Sequence, residues 1–258
     1  MHHNYIDHFA QGDSPVHRLD GRAKLLAVLA YTAVLISFGR YEVTTLVPMA
    51  ALPLVWLAAG RVPMWFALRR VLVLSPFVAM LCLAGPLYDH AVRRVAVGTW
   101  QFEIDGGWLT AADIAVKFTL GLLALTAMMC TTPFSLLLEA MRRLRVPKLL
   151  VMQLGFLYRY IFVLLDESMR VRRGRDFRGA ARAPASRRLA AVGGIVGALF
   201  VRTLERSERV HTAMCARGYR GEPHSLGRLS FHGRDAAFLT VVAAYLVACR
   251  AVPFLLAG

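Results

Sequence analysis

Acidic side chains and closely spaced cysteines are scarce in this 258-residue sequence. It holds 16 Asp and Glu against 31 Lys and Arg, and 18% of its residues are charged, whereas a typical soluble domain has about 25%. The four cysteines have no short spacing between them, which excludes a zinc ribbon and a disulfide framework. Because few acids lie within the apolar runs, the sequence does not favour a carrier driven by protons or cations.

Signature motifs of catalysis are also missing. The sequence contains no phosphate loop of the form G-x-x-x-x-G-K-S/T, no H-E-x-x-H, no C-x-x-C and no G-x-S-x-G. The sequence therefore offers no candidate residues for a catalytic centre, a cofactor site or a metal site. Gly193, Gly194 and Gly197 lie within a helical pattern, and we interpret them as close-packing positions rather than as part of a nucleotide site.

Long apolar runs dominate instead, since 57% of the residues are hydrophobic although the net charge is +15. A membrane-spanning helix needs about 20 mostly apolar residues. Six runs approach this length, at residues 24–38, 43–59, 71–87, 112–130, 149–165 and 236–256. The sequence therefore predicts an integral membrane protein whose charge lies outside the bilayer.

The fifth run, residues 149–165, has basic clusters on both sides. A cluster of Lys and Arg between residues 142 and 148 precedes it, and five arginines between 170 and 178 follow it. Since the cytoplasmic ends of spans are enriched in Lys and Arg, both flanks belong in the cytoplasm, and a single span cannot have both ends there. We therefore predict that this run forms an amphipathic helix that does not cross the membrane.

Five spans remain, and their charged flanks orient them. With the N-terminus inside, the short inner segments hold six Lys and Arg and the outer segments hold three, as the positive-inside rule requires. The predicted location is the plasma (inner) membrane, with the N-terminus in the cytoplasm and the C-terminus outside.

These runs predict an all-α integral membrane protein in four parts. Residues 1–23 form a cytoplasmic N-terminal segment, 24–130 four transmembrane helices, 131–234 a basic cytoplasmic region of about three amphipathic helices, and 235–258 the final transmembrane helix. The basic region holds 20 Lys and Arg against seven acids. Since aliphatic rather than aromatic residues separate these charges, we expect anionic lipid and an acidic protein as partners, and no nucleic acid.

Capping residues set the predicted helix bounds in the basic region. Thr132 and Pro133 are typical of a helix start, and Pro147 is typical of a stop. The remaining predicted features are a second helix from Lys148 to about Arg173, a loop over 174–186, a third helix over 187–215, and Asp235 as a possible N-cap of the last span.

Two Arg-Gly sequences mark the predicted ends of the second and third helices. They are Arg172-Arg173-Gly174 and Ala216-Arg217-Gly218. Each places a guanidinium near the negative end of the helix dipole, and its planar five-donor group suits a carboxylate or carbonyl pocket on a partner. The alternative is an ordinary cationic cap worth about 0.3–1 kcal/mol. In either case Gly218 is a natural left-handed cap.

Three stretches resemble one protein family. The stretch from Ser14 to Leu26, which reads SPVHRLDGRAKLL, resembles the opening of the CbiQ/EcfT family, the transmembrane (T) components of energy-coupling factor ABC transporters. Residues 144–174 and Ala216-Arg217-Gly218 resemble its cytoplasmic coupling region, where two Ala-Arg-Gly-type motifs occur. The sequence departs from the family at Arg172, where Ala is usual, and at Gly21, where Pro is common.

The resemblance implies a non-catalytic scaffold that joins two ATP-binding-cassette ATPase subunits to a separate substrate-binding (S or CbiM-like) membrane subunit. It implies that Arg173 and Arg217 insert into grooves of the two ATPases, where ATP is hydrolysed. The opening is most similar to the cobalt branch, so cobalt(II) is the expected cargo, with nickel or a vitamin as alternatives. A different class of function also fits the residues: a stand-alone membrane receptor or enzyme that binds anionic lipid through its basic segment.

Overall fold

The computed structural model describes residues 12–39, 43–83, 86, 92–97, 100–177, 185–219 and 231–256. Within these residues the chain is helical apart from one β-hairpin. The elements are α1 (Gly21–Ser37), α2 (Ala51–Ala59), α3 (Met64–Cys82), β1 (Val92–Val97), β2 (Trp100–Asp105), α4 (Gly106–Thr131), α5 (Phe134–Arg143), α6 (Lys148–Phe177), α7 (Ala185–Ala216) and α8 (Gly233–Leu256).

The helices agree with the predicted all-α class, and the one β-hairpin is an addition that the sequence analysis did not predict. Strands β1 and β2 pair antiparallel, with Val92 opposite Asp105 and Val97 opposite Trp100. Residues 100–105 alternate apolar and polar side chains, which is the period of a strand. A search for apolar runs of spanning length passes over such a short alternating segment.

In the described part of the chain, three helices are long and apolar enough to cross a membrane. They are Met64–Cys82, Gly106–Thr131 and Lys148–Arg175. Helix α1 has 17 residues and covers about 26 Å, slightly less than the roughly 30 Å of a hydrocarbon core. The third of these helices contains the run that we predict not to cross, so the count of five spans stays a prediction.

Two of the predicted runs differ from the helices that form. Residues 43–59 do not make one helix, because short 3-10 turns at Val43–Leu46 and Pro48–Ala50 precede α2. Pro48 lacks an N–H and suits the start of a helical segment rather than its interior. Helix α3 begins at Met64, seven residues earlier than predicted, and the guanidinium of Arg70 stacks 4.7 Å from the centre of the Phe66 ring.

The described residues fall into two compact units. The first, called here the membrane unit, comprises the described parts of residues 4–140 and 228–258. Helix α4 contacts α1, α2 and α3, and α1 also contacts α8. The buried Tyr31 hydroxyl donates to the Met49 carbonyl oxygen at 3.0 Å, and the rings of Trp56 and Phe238 meet edge to face at 5.5 Å. These contacts gather the helices around α4.

Helix α5 begins at Phe134, one residue later than the predicted start with Thr132 as N-cap and Pro133 as the first helical residue. Its side chains Leu137 and Ala140 are buried in the membrane unit. A Cβ at Gly21, the first residue of α1, would lie 3.4 Å from the Ala140 Cβ, so the two helices are in close contact there.

The second unit, called here the helical hairpin, comprises the described parts of residues 141–227. Its helices α6 and α7 run antiparallel. The Tyr219 hydroxyl, just past the end of α7, donates to the Met152 sulfur near the start of α6 at 2.7 Å. Farther along, Glu167 of α6 forms an ion pair with Arg202 of α7.

Candidate functional site

The Ala216-Arg217-Gly218 sequence ends α7, as predicted. Gly218 adopts a left-handed backbone conformation with φ of +82°. The Gly218 N–H donates to the Cys215 carbonyl oxygen and the Tyr219 N–H donates to that of Met214, each at 3.0 Å. These two bonds constitute a Schellman motif, so the predicted left-handed cap at Gly218 is confirmed.

Arg217 is held at the tip of α7 by this cap. Its own N–H donates to the carbonyl oxygens of Ala213 and Met214, while its side chain is exposed. Within the described part of the chain the Arg217 guanidinium forms no ion pair. It therefore projects from the negative end of a helix of 32 residues, with its donors available to a partner.

The Arg172-Arg173-Gly174 sequence does not end a helix, and that prediction is wrong. Helix α6 continues through Gly174 to Phe177. A glycine in a helix interior costs only about 1 kcal/mol relative to alanine, and its arginine neighbours are good helix formers. Residues 174–177 and 185–186 of the predicted loop over 174–186 are therefore helical, and residues 178–184 of that prediction lie outside the described residues.

Arg173 lies on the surface of the last turns of α6. Its Nε donates to the Met169 carbonyl oxygen at 3.3 Å, which leaves the other guanidinium nitrogens exposed. A Cβ at Gly174 would meet no atom within 4 Å. All six candidate residues (Arg172, Arg173, Gly174, Ala216, Arg217 and Gly218) are exposed.

The two candidate arginines stand at opposite ends of the helical hairpin. Arg217 precedes Tyr219 by two residues, and the Tyr219 hydroxyl contacts Met152 near the start of α6. At about 1.5 Å per residue, the stretch of α6 from Met152 to Arg173 spans about 30 Å. The hairpin can therefore present the two guanidinium groups to two separate partners.

Exposed apolar stripes run along both helices between these ends. The α6 stripe consists of Leu157, Ile161 and Leu165, and the α7 stripe of Val192, Val196 and Phe200, each at intervals of four residues. Both stripes are exposed within this chain. An apolar surface of this kind marks a contact with a protein or a membrane.

The glycines beside the α7 stripe do not pack against a neighbour in this chain. A Cβ at Gly193, Gly194 or Gly197 would meet no atom within 4 Å. The interpretation of these glycines as close-packing positions is therefore wrong within the described residues. Because these three glycines have no side chains, the backbone of α7 is exposed at these positions.

A buried polar joint in the membrane unit was missed by the sequence analysis. Lys24, which was counted as a charge of an inner flank, is only 1% exposed. Its Nζ donates to the Thr131 carbonyl oxygen at the end of α4, at 2.8 Å, and more weakly to that of His17 at 3.4 Å. The carbonyl end of a helix favours a cation, so Lys24 fastens the start of α1 to the end of α4.

Two aspartates complete this joint. Asp20 is the N-cap of α1, and its carboxylate accepts from the Arg22 N–H at 2.8 Å. Asp235 accepts from the N–H of Asp20 through Oδ1 and from the N–H of His232 through Oδ2, each at 2.8 Å. Asp235 is thus the third residue of α8 and reaches back to the N-cap His232, so it is not itself the predicted N-cap.

The turn before α1 contains the residues that resemble a family opening. The Ser14 hydroxyl and the His17 Nδ1 lie 2.7 Å apart, and Ser14 is buried. The Leu19 N–H donates to the Val16 carbonyl oxygen at 3.3 Å. The spacing of Asp20 and Lys24, one helical turn apart at the start of an apolar run, was the signal that could have identified the joint.

An ion pair between the partly buried Lys117 and the buried Asp113 lies within α4. Lys117 Nζ is 2.9 Å from the Asp113 Oδ2 and donates to the Phe38 carbonyl oxygen at 2.8 Å. Lys117 therefore caps the end of α1, as Lys24 caps the end of α4. Within the described residues, no group of three or more His, Cys, Asp or Glu is placed to hold a metal ion.

Comparison with known proteins gives the family. A family model described as CbiQ, cobalt transport protein, matches residues 12–226. The chain belongs to the CbiQ family. The matched region contains the turn before α1 and both Arg-Gly sequences, and it ends before α8.

Relatives of this CbiQ family member include two proteins named energy-coupling factor transporter transmembrane protein EcfT. That of Lacticaseibacillus paracasei is 27% identical over 95% of this chain and 98% of its own length, and that of Bacillus subtilis is 26% identical with the same coverage. The cobalt transport protein CbiQ of Salmonella typhimurium is 28% identical over 67% of this chain and 70% of its own length.

These matches confirm the family resemblance inferred from the sequence. This CbiQ family member is a transmembrane component of energy-coupling factor transporters. It is a non-catalytic membrane subunit of a transporter, and its apolar helices agree with a membrane location.

Proposed function

We propose that this chain joins two ATP-binding-cassette ATPase subunits to a substrate-binding (S or CbiM-like) membrane subunit and transmits ATP-driven motion between them. The observation that carries the proposal is the placement of Arg173 and Arg217, two exposed guanidinium groups at opposite ends of one helical hairpin. One hairpin with two such ends suits two ATPases, each with one docking groove.

Of the two proposed docking residues, Arg217 has the more rigid backbone. The Schellman cap fixes the backbone on either side of it, so little backbone entropy remains to be lost when a partner binds. A groove lined by carboxylates or by carbonyl oxygens would accept several of its five N–H donors. Arg173, with Arg172 and Gly174, offers the second contact from the side of α6.

Contacts between α6 and α7 support a role in transmitting motion. The Tyr219 hydroxyl to Met152 contact joins them at one end, and Glu167 joins them farther along through Arg202. Glu167 is also 3.5 Å from Arg170 on its own helix. When ATP-driven closure of the ATPases displaces either end, these contacts carry the displacement to the other helix.

The α6 and α7 stripes are the surface that we assign to the substrate-binding subunit. An exposed apolar stripe on a basic helical hairpin requires a cover that is itself apolar. Movement of the stripes beneath that subunit would open it and release its cargo. The cargo site lies on the partner.

Cobalt(II) is the cargo that we propose. The family description and the name of the Salmonella typhimurium relative both refer to cobalt transport. The relatives named EcfT cover more of the chain, which keeps nickel or a vitamin as the alternative cargo for the same coupling role.

The proposed placement has five spans, a cytoplasmic N-terminus and an external C-terminus, in the plasma (inner) membrane. Residues 131–234 then form the cytoplasmic coupling region. Their 20 Lys and Arg would also attract anionic lipid at the inner surface, where each such residue near the membrane contributes about 1 kcal/mol.

Affinity purification of the tagged full chain in mild detergent, followed by mass spectrometric identification, tests this function. We expect two ATPase copies and one membrane subunit with the wild type, and loss of the ATPases with Arg173→Glu and Arg217→Glu combined. Arg206→Glu combined with Arg209→Glu, at two exposed arginines of α7, has the same charge change, so it is the matched control and should retain them. Unchanged ATPase recovery in the double variant, or transport without any ATPase, would favour a stand-alone receptor or enzyme instead.

A further inference from the structure

The membrane unit contains a groove that has no part in the proposed coupling of the ATPases to the substrate-binding subunit. It has a volume of about 970 Å³ and lies between α2, α8 and the turn before α1. Its wall is formed by apolar and aromatic side chains, namely Leu52, Val55, Trp56, Phe238, Val241 and Tyr245. The volume is at the upper end of the range of about 300–1,000 Å³ for sites that hold one small molecule.

The wall of the groove is suited to hydrocarbon. Its floor is packed, since Trp56 is 4% exposed and Val242 6% exposed. Its rim is open, since Val55 is 65% exposed and Val241 68% exposed. An open apolar channel of this kind in a membrane protein offers a path for an acyl chain rather than for water.

One end of the groove is charged. Arg18 from the turn and Arg234 from the first turn of α8 line it, together with a single carboxylate, that of Asp13. All three side chains are exposed, and within the described residues neither guanidinium forms an ion pair. The N-terminus of α8 adds the positive end of its dipole to this side. The charged end therefore favours an anion.

A hydrogen bond links the two chain segments that carry these arginines. The Asp20 N–H, two residues after Arg18, donates to the carboxylate of Asp235, the residue after Arg234, at 2.8 Å. Both aspartates are buried. The segments that carry the guanidinium groups are thus linked beside the site, which lowers the entropy cost of binding one ligand with both.

We propose that this groove binds one anionic phospholipid, with an acyl chain along Val55 and Val241 and the phosphate between Arg18 and Arg234. Arginine pairs with phosphate through two parallel N–H to oxygen bonds. Of the basic region 131–234, the site includes only the last residue, Arg234, and the proposal does not depend on the coupling role. The bound lipid fills the space over the Trp56 and Phe238 contact and so holds α2 against α8.

Native mass spectrometry of the full chain in mild detergent tests the proposal, with phosphatidylglycerol and phosphatidylcholine of identical acyl chains as probes. We expect one phosphatidylglycerol molecule per chain that survives collisional activation, and at least about tenfold weaker retention of phosphatidylcholine, the difference for about 1.4 kcal/mol. Arg18→Ala combined with Arg234→Ala should reduce retention of phosphatidylglycerol to that of phosphatidylcholine.

Three controls make the result decisive. Arg206→Ala combined with Arg209→Ala removes two exposed arginines of α7 and should leave retention of the one tightly held phosphatidylglycerol unchanged, with an effect only on weaker surface adducts. Asp13→Asn should preserve or increase that retention. Phosphatidylglycerol should raise the melting temperature of the wild type and not that of the Arg18 and Arg234 double variant. Size-exclusion chromatography should show that the wild type and this double variant both elute as folded monodisperse protein.

Equal retention of the two lipids, or full retention by the Arg18 and Arg234 double variant, overturns the proposal. So does a photo-crosslinker at Val241 in the purified transporter complex that captures a partner polypeptide instead of lipid. That last result would assign the groove to a transmembrane helix of another subunit.

Discussion

Lys24 Nζ donates to the carbonyl oxygen of Thr131 at 2.8 Å and joins the first turn of α1 to the last residue of α4. The ammonium is buried, so the loss of its hydration must be offset by this carbonyl, by the dipole of α4 and by the nearby carboxylates of Asp20 and Asp235. The packing of α1, α4 and the start of α8 against one another therefore depends on the charge of Lys24.

Lys24→Met should destabilise the protein by about 3 kcal/mol, since removal of one partner leaves buried charges without compensation. The measurement is thermal unfolding of the full chain in detergent. Arg217→Met removes an exposed cation and should change stability by less than about 0.5 kcal/mol. Similar melting temperatures for Lys24→Met and the wild type would contradict the role assigned to this joint.

Gly60→Ala should destabilise the membrane unit by about 1–3 kcal/mol, the usual cost of overpacking. A Cβ there would lie 2.9 Å from the Thr131 Cγ2 and 3.1 Å from the Trp56 carbonyl oxygen. Thr131→Ser removes that methyl group and keeps the hydroxyl that accepts from the Trp56 indole N–H at 3.4 Å.

The matched substitution for Gly60→Ala is Gly193→Ala, because a Cβ at Gly193 meets no atom within 4 Å and alanine is the better helix former by about 1 kcal/mol. It should leave stability equal or improved in chemical unfolding. In the Thr131→Ser background, Gly60→Ala should cost less than in the wild type; an equal cost in both backgrounds would place the strain elsewhere.

Gly218→Ala should weaken recovery of the ATPases, whereas Gly174→Ala should not. Gly218 has φ of +82°, where a residue with a Cβ costs roughly 1–2 kcal/mol, and relief of that strain displaces Arg217. Gly174 lies within α6 with open space around it, so alanine is tolerated. Co-purification with quantified ATPase bands measures both, and circular dichroism of each variant verifies folding.

Single cysteines at Lys148 and Asp166, in a chain whose four native cysteines are replaced, should both react with an impermeant maleimide only from the cytoplasmic side. Helix α6 is apolar and long enough to span, so composition does not decide this point, and the prediction rests on the basic flanks on both sides. Labelling of the two positions from opposite faces would add a sixth span and remove the proposed orientation of the C-terminus.

Local capping chemistry was predictable from the sequence, and contacts between distant residues were not. The start of α5 after Thr132 and Pro133 and the cap at Gly218 each depend on a few adjacent residues. By contrast, Asp235 was assigned to its own helix, although its second partner, Asp20, is 215 residues away. No periodicity in the sequence encodes that pairing.

The misassigned end of α6 has an energetic cause. Gly174 was interpreted as a terminator because glycine is common just past helix ends. The same glycine costs little inside a helix when the residues around it are good helix formers. The β-hairpin and the early start of α3 were missed for another reason. The sequence analysis located elements by the length of uninterrupted apolar runs.

The unlike geometry of the two arginine sites bears on the symmetry of the assembled transporter. Arg217 stands at a capped helix end, whereas Arg173 lies on the side of a helix that continues to Phe177. Two identical ATPase grooves would bind two arginine sites of different local structure. An ATPase pair with pseudo-two-fold symmetry would then make unequal contacts with this single membrane subunit. If Arg173 and Arg217 are the docking residues, as proposed, one ATPase would therefore be held more rigidly than the other.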